Sequence, residues 1–218
     1  MAFTFTFWSL LTRLGEAQIL MPLVALVALW LWISAGLGAQ ARRWLLAVGG
    51  AVALTTASKL AFIGWEVGFA AWDFTGVSGH AACSAAVLPV LAWVLACGHS
   101  RATRRWSVLG GFAMAGLVAW SRLAVHAHSS SEVISGFALG GVSSWIALSG
   151  LTRAGDVHAT TTKASPRWLQ VALLASLVLL PFAAPRSRTH DWVTALSLRL
   201  SGRSQPFMRQ DLRPHHRG

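Results

Sequence analysis

Six apolar stretches, residues 19–37, 44–62, 81–97, 106–125, 133–151 and 168–184, run through this chain with short connections between most of them. Each is close to the ~20 residues that a ~30 Å hydrocarbon slab requires, the third and sixth being the shortest. Backbone polar groups in lipid must be satisfied within their own segment, so spans of this kind are helices. The expected fold is all-α, a polytopic membrane helical bundle of about six transmembrane helices. Charged residues make up 11% of the sequence, against roughly 25% in soluble domains. Before the first span, residues 3–14 read as an interfacial helix ending at Arg13. After the last, residues 191–200 read as a surface-lying amphipathic helix, and residues 201–218 have the composition of a poorly ordered tail. The chain thus divides into a membrane-embedded domain, 1–185, and a basic, partly amphipathic tail, 186–218. No basic region followed by a small-residue cleavage site opens the chain, so no cleaved signal peptide is expected.

The net charge of +11 is clustered between the spans, where anionic headgroups would meet it. The bilayer, and not nucleic acid, is therefore the expected partner; the sequence carries no signal for an oligomeric state. Arg42 and Arg43, then Arg101, Arg104 and Arg105, then Arg153, Lys163 and Arg167 occupy alternate loops, which should be cytoplasmic. Trp44, Trp106 and Trp168 each begin a span on that side. This orientation puts both termini outside, although the tail carries seven Arg from Arg186 to Arg217; a re-entrant sixth span would reverse the tail alone. Gly136 and Gly140 form a GxxxG pair, and Gly110, Gly111 and Gly116 are also suited to close helix packing. Pro22 and Pro89 mark kinks inside spans. Cys83 and Cys97, about 21 Å apart along one helix, cannot pair and read as small apolar residues.

Ionisable residues beside such spans are costly and usually functional. Lys59 lies about 22 Å up its helix from Trp44, and Arg122 about 24 Å up from Trp106, so both sit near the outer end of the slab. His80 opens the third span and Glu132 the fifth from that same side, with His128 four residues before Glu132. Lys59 and Arg122 supply positive charge, and Arg can fork onto phosphate oxygens. Ser78 and Gly79 lead into a helix N-terminus, whose free N–H groups favour an anion. Two His residues can serve as nucleophile and acid, and Glu132 can hold an imidazole tautomer. These parts fit phosphoryl transfer. His126 is a rival nucleophile, but it lies six residues from Glu132, off the helical pairing. Glu66 and Asp73 read as solvated loop acids, Trp65 and Trp72 as interface anchors, and Ser129 to Ser131 as a helix cap. His99, His158, His190, His215 and His216 have no partner spacing and read as surface residues.

The order Lys59, then Val77-Ser78-Gly79-His80, then Ser121-Arg122, five residues, His128, three residues, Glu132 resembles the type-2 phosphatidic acid phosphatase family, which shares a helical core with the vanadium haloperoxidases. The likeness covers roughly residues 59–141. Three departures stand out. The family's Arg-Pro after Lys and six residues is Glu66-Val67 here, the Pro before Ser78 is Val77, and the final Asp is Glu132. The first departure removes a phosphate-binding Arg, favouring a less charged phosphate or a recruited tail Arg. The resemblance implies that His128 attacks phosphorus, Glu132 orients it, and His80 protonates the leaving alcohol and then activates water. It also implies that Lys59, Arg122, Ser78 and Gly79 bind the phosphoryl oxygens. No metal or other cofactor is needed. The expected activity is that of an integral membrane lipid phosphatase acting on phosphatidic acid, phosphatidylglycerol phosphate or a polyprenyl diphosphate, in a bacterial inner membrane with its site outside. Alternatives are a phosphotransferase of the same fold and a non-catalytic lipid-phosphate binder or transporter. Transport would call for more mid-span polar residues than Thr55, Thr56, Ser143 and Ser144.

Overall fold

In the computed structural model, which describes residues 2–157, 165–185 and 187–212, the chain folds into helices with no β-strand among the described residues. In order these are α1 (Ala2–Arg13), α2 (Ala17–Ile33), α3 (Gly38–Trp65), a 3-10 turn (Ala70–Trp72), α4 (Gly79–Leu95), α5 (Arg101–Ala124), α6 (Ser130–Val157), α7 (Arg167–Ala183) and α8 (Thr189–Ser201). The six apolar stretches correspond to α2 through α7. Four segments are long and apolar enough to cross a bilayer: Thr6–Ile33, Gly38–Trp65, Arg101–Ala124 and Ser130–Thr152. The other two, α4 and α7, have 17 residues each, or about 25 Å of helix. Large apolar side chains such as Leu29, Ile33, Leu46, Ile134, Trp145 and Leu179 are exposed on the bundle's outside, as a lipid-facing surface requires.

The short helix α4 can be short because it is the centre of the bundle. It packs against α2, α3, α5 and α6, and nearly its whole length from Ala81 to Val94 is buried. Its small side chains, Ala81, Ala82, Ala85 and Ala86, let neighbouring backbones come close. A Cβ on Gly140 would stand 2.1 Å from the Ala82 carbonyl oxygen, and one on Gly136 2.5 Å from that of Ser78. The GxxxG pair is thus the contact between α6 and α4. Gly111 plays the same part for α5, 2.7 Å from Pro89 Cα, but Gly110 and Gly116 face open space and do not mediate packing. Trp44 on α3 donates its indole N–H to the Ala86 carbonyl at 3.1 Å, satisfying a polar atom in the core. Cys83 and Cys97 are free and buried.

One end of the bundle gathers the α1–α2 turn, the α3–α4 loop, the α5–α6 turn and the end of α7. Arg13 donates to the carbonyls of Pro181 and Ala184, both at 2.5 Å, and Arg122 donates to Thr12 at 2.9 Å. Ser131 donates to the Trp72 carbonyl at 2.8 Å. Because the last turn of α7 is fixed here, the tail emerges at this end with no re-entrant span. Arg43 lies at the opposite end, near Gly150.

Two expectations for the tail fail. Helix α8 does not lie on a membrane surface alone: it docks along α3, with Ser197 buried and donating to the Leu60 carbonyl at 3.0 Å. Gly64 leaves room for it, since a Cβ there would stand 2.6 Å from Ser197 Oγ. Residues 201–212 are not a loose polar tail. They fold back over the bundle end, where the Phe207 N–H donates to the Ile63 carbonyl at 3.0 Å and its ring packs 5.2 Å from that of Phe62. Composition misled because the basic residues have acidic partners far away in sequence. His158, Lys163, Arg186, His215, His216 and the tail beyond Leu212 lie outside the described residues.

Candidate active site

The gathered end of the bundle forms an open-mouthed cavity of ≈ 890 Å³. Lys59 reaches it from α3, Gly79 and His80 from the start of α4, Arg122 from the end of α5, and His128 from the α5–α6 turn. Its other walls are largely apolar, among them Val52, Phe62 and Ile63 of α3 and Val193 and Leu198 of α8.

Glu132 stands behind His128, fully buried, at the third position of α6. Its carboxylate reaches back to the Ser129 N–H at 3.2 Å, the carboxylate half of a capping box. The serines do not supply the other half: Ser129 Oγ pairs with Ser131 Oγ at 2.9 Å, and Ser131 holds the Trp72 carbonyl. Glu132 Oε2 lies 2.6 Å from His128 Nδ1, and Oε1 accepts from the Thr75 N–H at 2.7 Å and the Thr75 hydroxyl at 2.5 Å. An ionised carboxylate so placed keeps the imidazole proton on Nδ1 and leaves Nε2 with its lone pair. Burial lowers the His128 pKa from the ordinary histidine value; the hydrogen bond to Glu132 opposes this, and the positive charges of Lys59 and Arg122 add to it.

The segment 75–79 is shaped to bring α4 against α3. Gly76 adopts φ +135°, and a Cβ on it would stand 3.1 Å from Lys59 Cγ, so a side chain there would meet both strain and a clash. The Val77 N–H donates to Ser58 Oγ at 3.0 Å, and the Ser78 N–H donates to the Glu132 carbonyl at 3.0 Å. Lys59 Nζ lies 4.0 Å from where a Cβ on Gly79 would be. The bare N-terminus of α4 and the ammonium thus border the same part of the cavity. Arg122 is steadied by Thr12 through one nitrogen, while its buried Nε has no hydrogen-bond partner among the described residues.

Of the seven residues singled out in the sequence, Lys59, Gly79, His80, Arg122 and His128 line the cavity, and Glu132 supports His128 from behind. Ser78 is different. Its side chain is fully buried outside the lining, and its contribution is the backbone bond to Glu132. His126 is exposed, in a turn at φ +53°, and does not line the cavity. Glu66 ends α3 in a left-handed conformation and pairs outward with Arg203 at 2.5 Å. Trp65 and Trp72 are exposed at this rim. Among the described residues, no group of three His, Cys, Asp or Glu side chains is placed to hold a metal ion.

Sequence reading missed Thr75, Thr12 and the particular tail residue that arrives here. Arg209 Nη2 lies 2.7 Å from both oxygens of Glu132, while its Nη1 donates to the Asp73 carboxylate at 2.6 Å and carbonyl at 2.9 Å. Asp73 is thus no mere solvated loop acid. The one signal in sequence was the charge reversal at Glu66, which left room for a cation from elsewhere.

Fold and site together define a class: a helical membrane protein with a histidine–carboxylate pair and several cations around one cavity. The family model of the PAP2 superfamily matches residues 52–156, which contain all seven of these residues. A Klebsiella pneumoniae protein described as an uncharacterized 22.5 kDa protein in cps region is 34% identical over 206 residues, covering 94% of this chain and 97% of that relative. No solved structure matches. The chain belongs to the PAP2 superfamily. That membership supports a phosphatase of the lipid-phosphate type.

Proposed function

We propose that this protein hydrolyses a phosphomonoester or diphosphate of a membrane lipid, such as phosphatidic acid, phosphatidylglycerol phosphate or a polyprenyl diphosphate, through a phosphohistidine. The observation that carries this reading is His128, backed by Glu132 and facing a cavity that also holds Lys59, His80 and Arg122. His128 Nε2 attacks phosphorus while the bond to the leaving oxygen breaks, and His80 gives that oxygen its proton. His80 then takes a proton from water as the water oxygen attacks phosphorus, releasing inorganic phosphate and restoring His128. Lys59, Arg122 and the α4 N-terminus at Gly79 hold the phosphoryl oxygens as charge gathers on them. The apolar walls on α3 and α8 suit the chain of a lipid. The reading includes a bacterial inner membrane and a site on its outer side, because Arg42, Arg43, Arg101, Arg104 and Arg105 fall in or beside loops at the far end.

The test is phosphate release by the purified protein in detergent, without added metal, over a panel of lipid phosphates and diphosphates. At least one should be hydrolysed, and His128→Ala should abolish release while leaving the fold intact. Full turnover by that variant would refute the mechanism.

A further inference from the structure

Arg209 lies beyond the family match, which ends at residue 156, yet its guanidinium contacts the carboxylate that supports His128. The chain between α8 and Arg209 is tied down for this: Arg203 to Glu66, Phe207 to Ile63, and Arg209 itself to Asp73. A buried carboxylate needs a compensating charge. The Glu132 side chain is 0% exposed. If His128 is to attack, its imidazole must be neutral, and a neutral imidazole does not compensate Glu132. Among the described residues, Arg209 is a cation in direct contact with that carboxylate in this state.

We propose that Arg209 is a positioning residue, carried to the site by the strap 202–212, that holds the pair as neutral His128 and ionised Glu132. The inference rests on the reading of His128 as nucleophile. Around His128, Lys59 comes from α3, His80 from α4, Arg122 from α5 and Glu132 from α6, with Asp73 and Thr75 in the α3–α4 loop. Of these, the Lys59 and Arg122 charges repel an imidazolium. Glu132 attracts one, and Arg209 weakens that attraction by sharing the carboxylate. Removing the Arg209 charge should therefore let His128 take a proton more readily.

The test is a histidine NMR titration of the full chain in detergent, which needs no substrate. In Arg209→Gln the His128 midpoint should rise by about one pH unit. On the acid limb this corresponds to about a tenfold fall in neutral imidazole and in kcat/KM. Arg209→Lys, which keeps the charge, should leave the midpoint near that of the wild type. An unchanged midpoint in Arg209→Gln, or a Lys variant no closer to wild type than the Gln variant, would overturn the proposal. If Arg209→Gln does not fold, Arg209→Met removes the same charge with a side chain of similar reach and should also move the midpoint upward; no movement would count against the proposal. Lack of activity on every lipid phosphate would sink the proposed function and leave this titration readable.

Discussion

His128 Nδ1 stands 2.6 Å from Glu132 Oε2, and the same carboxylate is also held by two bonds from Thr75. The imidazole is therefore oriented by an acid that cannot itself turn. Glu132→Gln should break this function with little change in shape. A Gln amide can present its N–H to Nδ1, which favours the wrong tautomer. The expected loss is on the order of 10²–10⁴-fold in kcat, measured by phosphate release on whichever lipid phosphate proves best. Retention of more than half the activity would show that the carboxylate is not the orienting group.

The pH dependence follows from the lowered His128 pKa. The ordinary histidine value is about 6.5, so in the folded protein His128 is neutral at pH 7 and charges only at a pH below that value. The acid limb of kcat/KM set by His128 should fall below about pH 6.5. The sign for stability is the same. Because the unfolded chain takes the proton first, the folded state loses stability as pH falls from the ordinary value toward the folded one. An NMR titration of His128 separates its midpoint from ionisation of the substrate phosphate, and a midpoint above the ordinary value would contradict the burial seen here.

Packing gives a paired prediction. A Cβ on Gly140 would press 2.1 Å from the Ala82 carbonyl and 2.9 Å from Ala85 Cβ, so α6 must move off α4 to admit it. Gly140→Ala should cost about 1–3 kcal/mol, seen as a lower unfolding midpoint in detergent. Gly116→Ala, in open space within α5, should leave the midpoint unchanged or slightly raised. Equal effects at the two positions would mean that backbone contact between α4 and α6 does not govern stability.

These cases mark what could be read from the sequence. The helices were legible because their apolar lengths match the slab, and helical rise carried Lys59 and Arg122 to the same end as His80 and His128. Which glycines pack was not legible, because Gly110 and Gly111 differ only in the face of α5 they occupy. The motif pointed to Ser78 as a ligand, but motif spacing does not say which way a side chain turns, and this one turns into the core. The amphipathic pattern of α8 is compatible with a membrane surface or with α3, and only the fit of Ser197 beside Gly64 decides. The contact of Arg209 with Glu132 joins residues 77 apart with no intervening pattern to predict it.

Sidedness yields the last prediction. Cys83 and Cys97 are buried, so a single introduced cysteine can be read against a quiet background. Trp72 is exposed in the α3–α4 loop at the site end, and Gln210 is exposed on the strap beside Arg209. Arg101 begins α5 at the opposite end. With the site outside, Trp72→Cys and Gln210→Cys should both be labelled on intact cells by an impermeant thiol reagent, and Arg101→Cys only after lysis. Labelling of Arg101→Cys alone would invert the protein in the membrane, because the arginine-rich loops would then face outward. Labelling of Trp72→Cys without Gln210→Cys would instead separate the strap from the site end. The Arg209–Asp73 pair forbids that separation, since it ties the strap to the same loop that carries Trp72.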